Sequence, residues 1–321
     1  MGEFELIRHY FAAAPCAQGG AGVALGIGDD CALLDLPAAA QLAVSTDTLV
    51  AGVHFPHACD PSLLGQRSLA VAASDLAAMG ATPVGFTLAL TLPEVSEQWL
   101  KAYAEGLDRM ARQCRLSLIG GDTTRGPLSI TMTVFGRVPA GQALLRSGAQ
   151  VGDLLCVGGE LGNAAGALPL VLGEREAAAE ISAPLLAQYW SPSPQFALGR
   201  ALRGKATAAL DISDGLLADC GHIAKASRLA LEVNLAQVPV SPALVAFSGP
   251  AAARQAALTG GDDYVLVFTL PAQHLPALRD AGLAVHVIGR AVAGEGVVLR
   301  DEHGQDITPR QCGYQHFRET P

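Results

Sequence analysis

Six short acidic stretches recur along this chain: GIGDD (26–30), STDT (45–48), SDLAAMG (74–80), IGGDTT (119–124), DISDG (211–215) and TGGDDY (259–264). They hold nine of the 17 aspartates and none of the 13 glutamates, so the acid is concentrated rather than scattered. Aspartate bonds its own backbone and glycine tolerates positive φ, so most of these stretches read as places where a strand gives way to a loop. Regular elements must fit between them. Strand-like and helix-like stretches alternate between them, which gives an α/β (α+β) fold with open sheets, whose strand ends are where ligands gather.

The elements between the stretches follow. In the first half, 41–46, 84–92, 116–119 and 129–138 read as strands, and 60–79 and 94–114 as helices. Pro61 near the start of the first helix, with Gly80 and Pro83 past its end, marks its limits. PAGQALLRSGAQVG (139–152) is rich in Gly, Pro and polar residues and predicts a junction. Two domains are therefore expected, 1–138 and 153–321. In the second, 154–157, 207–212, 263–270 and 285–292 read as strands. A glycine-rich turn, GGELGNAAG, leads into a helix, and 215–230 and 272–281 are further helices.

Any single acidic stretch is an ordinary turn; Ser213 and Asp214 would suit a helix N-terminus. The set is harder to explain that way. Asp75 lies among alanines in a helix that looks packed, and a lone carboxylate there is costly to desolvate without a partner. The chain has only three lysines to offer. Mg²⁺ fits instead, because it favours hard oxygen ligands, few carboxylates per ion, and substrate phosphate for the rest. Gly120-Gly121 and Gly260-Gly261 would let backbone approach a bulky ligand closely. Together these predict a nucleotide site built on aspartate–Mg²⁺ contacts.

Other classes are excluded. A net charge of −9 opposes nucleic-acid binding. The longest uncharged window, 76–93, is broken by glycines and prolines, so no membrane span is expected. Seven cysteines show no Cys-x-x-Cys pair, which disfavours zinc and fits reduced thiols. The opening residues MGEFELIRHY carry charge where a signal peptide needs an apolar core, so a cytoplasmic location is expected. There is no P-loop pattern and no pair of H-R-D and D-F-G.

In this order, GIGDD, STDTLVAGVHF, SDLAAMGA, LIGGDTTRGP, RSGAQVGD, DISDG and TGGDDY closely resemble the thiamine-monophosphate kinase family, from Glu3 to about Phe317. That family belongs to the superfamily of aminoimidazole-ribonucleotide synthetase and selenophosphate synthetase. The resemblance implies a two-domain fold with an N-terminal mixed sheet that forms a barrel in a homodimer, and a C-terminal α+β domain completing the active site. It implies ATP-dependent phosphorylation of thiamine monophosphate. By the same resemblance, Asp30, Ser45, Thr46, Asp47, Asp75, Asp122, Asp211 and Asp214 would hold several Mg²⁺ ions. Gly121, Asp122, Arg146 and Ser213 would contact ATP, and His54, Asp262 and Tyr314 would face thiamine monophosphate. Where the family pattern is GGEDYEL, this chain reads GGDDYVL, with Asp262 shorter by one methylene and Val265 in place of an acid. Two alternatives are a sister synthetase of the superfamily and a non-catalytic nucleotide or metal sensor.

Overall fold

The computed structural model describes residues 7–25, 27, 33–309 and 313. Contacts divide the chain into two compact units. One runs to Leu76 and resumes at Ala81–Gly141; the other comprises Ala77–Gly80 and the chain from Gln142 on.

In the first unit, β1 (Val23–Leu25) and β2 (Leu33–Leu34) form a small antiparallel pair. A four-stranded sheet follows, built from β3 (Ala40–Val50), β4 (Thr82–Leu92), β5 (Ser117–Arg125) and β6 (Ser129–Pro139) in the order β3-β6-β4-β5. β6 is antiparallel to β3 and β4, while β4 and β5 are parallel. The sheet is open within the chain, with β3 and β5 as its edges. Helices α1 (Pro61–Ala78) and α2 (Glu97–Cys114) complete the unit. The Asp60 carboxylate accepts the Ser62 N–H at 2.8 Å and starts α1, with Pro61 at its first position. Gly80, at φ 66°, follows its end. Residues 64–74 of α1 are buried on every side. α1 meets α2 at two glycines, and a side chain at Gly106 would overlap the Ser62 carbonyl.

β3 is longer than its hydrophobic pattern suggests. The expected strand ends at Thr46, but β6 pairs with β3 without a break from Ala40↔Pro139 to Val50↔Ser129. STDT therefore lies inside a strand, and so does Asp122 in β5. Cross-strand pairing outweighs the turn preference of aspartate here.

The second unit has a six-stranded sheet of β7 (Leu154–Val157), β8 (Ala208–Asp211), β9 (Ala230–Asn234), β10 (Leu266–Leu270), β11 (His286–Val292) and β12 (Gly296–Arg300). Its order is β12-β9-β11-β7-β10-β8, antiparallel except where β12 meets β9. Its helices are α3 (Asn163–Val171), α4 (Ala179–Trp190), α5 (Phe196–Leu202), α6 (Leu216–Ser227), α7 (Pro242–Ser248), α8 (Pro250–Thr259) and α9 (Leu275–Asp280). Strands β7, β8 and β10 are buried on both faces of the sheet. Leu155, Val157, Leu210, Val267 and Ile288 join one core with Leu216, Leu217 and Cys220 of α6. Cys156, Ala209, Phe268 and Leu270 face the other way, onto Leu198, Leu202 and Leu278. β9 and β12 are not expected from the sequence; they lie at one end of the sheet, where Glu232 and Arg300 are only half-buried. The helix expected to reach Ala230 stops at Ser227, because Arg228 takes a left-handed φ of 58° and β9 begins. The strand expected from Asp263 begins at Leu266, since Asp262 and Tyr264 are also left-handed, at φ 68° and 51°.

The segment 139–152 is tied down rather than loose. Ala140 N–H donates to the Ala39 carbonyl in the first unit. In the second, Ala209 N–H donates to the Leu145 carbonyl, and Gly148 and Ala149 N–H both donate to the Ser227 hydroxyl.

Candidate active site

In the first unit the acidic residues divide by strand alternation. Ser45 and Asp47 share the face of the sheet that carries Val134, Met132, Phe86 and Leu88, all buried. α1 brings Asp75 to this face, where the Ser45 hydroxyl donates to its carboxylate. Burial pushes Asp47 up to about 6, and the charge of Asp75 adds to the shift. Two carboxylates and a hydroxyl, held close, form a hard oxygen set. A divalent cation would relieve their repulsion, so the donor chemistry fits Mg²⁺.

Thr46 points to the other face, where its hydroxyl bonds that of Thr133 at 2.9 Å; Thr48 bonds Thr131 at 2.8 Å in the same way. The register places Asp122 on this second face, beside Ala89 and in line with Thr131. It is exposed and is not brought together with Asp47 and Asp75. Gly121 precedes it at a point where a side chain would overlap the Leu88 carbonyl. His54 closes the turn after β3. Its Nδ1 accepts the Val50 N–H at 3.0 Å, so a neutral ring carries its proton on Nε2, and its carbonyl accepts from Arg67 at 3.3 Å. Asp30 and Tyr314 lie outside the described residues, as does Asp29.

In the second unit Asp211 ends β8, buried, and the turn 212–215 opens α6. Ser213 is exposed and Asp214 half-buried. The TGGDDY strap lies alongside: Asp262 N–H donates to the Ser213 carbonyl at 2.9 Å and Tyr264 N–H to the Ile212 carbonyl at 2.8 Å. Gly261 sits so close that a side chain would overlap the Ser213 carbonyl. The Tyr264 hydroxyl donates to the Asp262 carboxylate at 2.9 Å. Left-handed φ at two non-glycine residues in one strap, Asp262 and Tyr264, costs free energy that the surrounding contacts must offset. Gly313 lies against the same turn, where a Cβ would come within 2.6 Å of the Asp214 carbonyl. Arg146 is exposed, in the segment that runs along β8.

Two carboxylates here escaped the sequence reading. The Asp263 carboxylate, fully buried, accepts the Gly162 N–H through both oxygens at 2.9 and 2.8 Å; burial raises its pKa well above the ordinary carboxylate range. It anchors the strap to the start of α3. Asp219 accepts three backbone N–H groups of the 213–215 turn. Burial pushes it up to about 7 against the pull of those N–H groups, and the charges of Asp211 and Asp214 add to the rise. An aspartate in the first turn of a helix was the sequence signal for Asp219; nothing local distinguished Asp263 from Asp262.

These two units are those of the AIR synthase related proteins: the N-terminal domain of that class matches residues 28–138 and the C-terminal domain residues 150–302. Among curated proteins, the thiamine-monophosphate kinase of Escherichia coli strain K12 is 46% identical over 323 residues, covering 98% of each chain. The crystal structure of thiamine-monophosphate kinase from Stenotrophomonas maltophilia K279a is also 46% identical, with a TM-score of 0.82 over 87% of this chain and 91% of that one. A structure described as AaThiL complexed with AMPPCP and TMP is 29% identical, with a TM-score of 0.79 over 91% and 92%. The chain belongs to the thiamine-monophosphate kinase family.

Proposed function

We propose that this protein transfers the γ-phosphoryl group of ATP to thiamine monophosphate, giving thiamine diphosphate and ADP. The observation that carries the reading is the convergence of Asp47, Asp75 and Ser45 in a chain so similar, end to end, to thiamine-monophosphate kinases. The acceptor is a phosphate monoester with a second pKa of about 6, so its attacking oxygen is largely ionised at neutral pH. No general base is needed. The difficulty is bringing two anions together.

Asp47, Asp75 and Ser45 in one unit, and Asp211 and Asp214 in the other, would hold Mg²⁺, with Asp30, Thr46 and Asp122 assigned the same role by resemblance. Bound there, Mg²⁺ screens the repulsion between the two anions and neutralises charge on the transferred group. Gly121, Asp122 and Ser213 would contact ATP, and the guanidinium fork of Arg146 suits its phosphates. His54, Asp262 and Tyr314 would orient thiamine monophosphate. The carboxylates act as metal holders rather than nucleophiles, and transfer is direct and in line.

A homodimer accords with the exposed second face of the first sheet. Leu42 and Val44, 41% and 53% exposed, continue into the threonine pairs of β3 and β6. Among the described residues no helix is long and apolar enough to cross a membrane. We infer a cytoplasmic enzyme with no nucleic-acid partner.

The test is product analysis of purified protein with ATP, Mg²⁺ and thiamine monophosphate, beside a sample in EDTA. Thiamine diphosphate forming only with Mg²⁺ supports the reading. ATP binding with no product would transfer it to a sister synthetase or a sensor. Label left on the protein after incubation with γ-labelled ATP alone would refute direct transfer.

A further inference from the structure

Asp219 has no part in the chemistry above, yet it is only 2% exposed and its surroundings are specific. It stands in the first turn of α6, where its own N–H donates to the Gly215 carbonyl at 3.0 Å. Its Oδ2 accepts the N–H groups of Ser213, Asp214 and Gly215 at 3.0, 3.1 and 3.2 Å. The carboxylate reaches back over the start of its own helix and gathers three consecutive donors. Such donors at a helix N-terminus ordinarily serve an anion. Here they are consumed inside the protein, so the turn offers its ligands the side chains of Ser213 and Asp214. The carbonyls of Ile212 and Ser213 are held from the other side by the strap at 262–264.

We propose that Asp219 is a positioning residue: by fixing the three N–H groups of residues 213–215 it sets the direction of Asp214 toward a bound divalent cation and of Ser213 toward the nucleotide. The cation's role rests on the kinase reading; the fixing of the turn does not. Asp219 also lies with Asp214 and His222 in a trio whose ligand atoms fall within 4.8 Å of one another. Direct ligation by Asp219 is therefore the competing outcome. Its Oδ2, already shared among three donors, opposes it.

The full-length protein and its Asp219→Ala and Asp219→Asn variants decide the matter, each first shown to melt cooperatively. Amide hydrogen exchange is followed without metal, and Mn²⁺ binding is measured by electron paramagnetic resonance without ATP. In Asp219→Ala, residues 213–215 should lose protection and Mn²⁺ affinity should fall roughly 10–100-fold, as when an orienting partner of a metal ligand is removed. Asp219→Asn keeps an acceptor oxygen and should retain most of both, which also serves if the alanine variant does not fold. Unchanged Mn²⁺ affinity in a folded Asp219→Ala would overturn the proposal. So would Asp219→Asn losing Mn²⁺ while its 213–215 amides stay protected, since that marks a direct ligand. Absence of thiamine diphosphate from the wild type would sink the kinase reading alone, because neither of these readouts depends on turnover.

Discussion

Burial and the charge of Asp75 together push Asp47 up to about 6 from an ordinary 3.8. A folded-state pKa raised above the unfolded value means the protonated form is the favoured one in the fold. The stability this contributes is complete below about pH 4 and is lost as pH rises through about 6. A cation binds the ionised form, so the effect on Mg²⁺ runs the other way. In thermal melts of the ATP-free protein, the rise in Tm on adding Mg²⁺ should be small at pH 5 and larger at pH 7. An equal rise at both would mean that Asp47 is not a ligand. At the same scale, Asp47→Asn keeps the shape and removes the charge. It should cut kcat by at least roughly 100-fold, since loss of a ligand costs no less than disturbing a ligand's partner, with the melting temperature of the metal-free protein held or raised. Activity within twofold of wild type in a steady-state assay would remove Asp47 from the site.

Among the elements, α1 shows most directly how packing serves the site. It presents Asp75 to β3 only because it can lie deep in the first unit, and the glycine crossing with α2 permits that depth. Gly106→Ala would force a methyl group into the Ser62 carbonyl. Overpacking of this kind costs about 1–3 kcal/mol. Urea unfolding should show that loss, along with reduced activity in the surviving folded protein as Asp75 shifts; unchanged stability would place the crossing elsewhere. The two strands of the first sheet that carry acid, β3 and β5, also show where local reading stops. Asp, Ser and Thr clusters look like turns, and only the partner strand makes them strand interiors. Alternation then decides which face each side chain takes, and it separates Asp47 from Asp122.

For the whole molecule, the exposed face of the first sheet carries the next prediction. Val44 lies there, 53% exposed, on an edge strand. An exposed sheet face that carries large apolar side chains such as Leu42 and Val44 is a site for association. Val44→Asp would bury a charge in a homodimer interface, which is costly without a partner. Light scattering after size exclusion should report a dimer for the wild type and a monomer for the variant. A dimer in both would move the interface to another surface, and a monomeric wild type would dismiss it.

The sequence alone determined the class of fold, the two-domain plan and the family, because these depend on local patterns: glycine and aspartate at fixed spacing, helix caps, and acid without compensating base. It could not determine which acids meet. That Asp75 reaches Ser45 across the first unit, that Thr46 and Asp122 take the opposite face from Asp47, and that β9 and β12 are strands all follow from pairing between segments distant in the chain. Asp219 and Asp263 are the clearest cases. Asp219 looks like an ordinary helix acid in the sequence and Asp263 is not distinguished from Asp262; only the tertiary structure buries each and supplies the backbone N–H groups that hold it there. Burial and directed hydrogen bonds are properties of surroundings, and those surroundings exist only once the chain has folded.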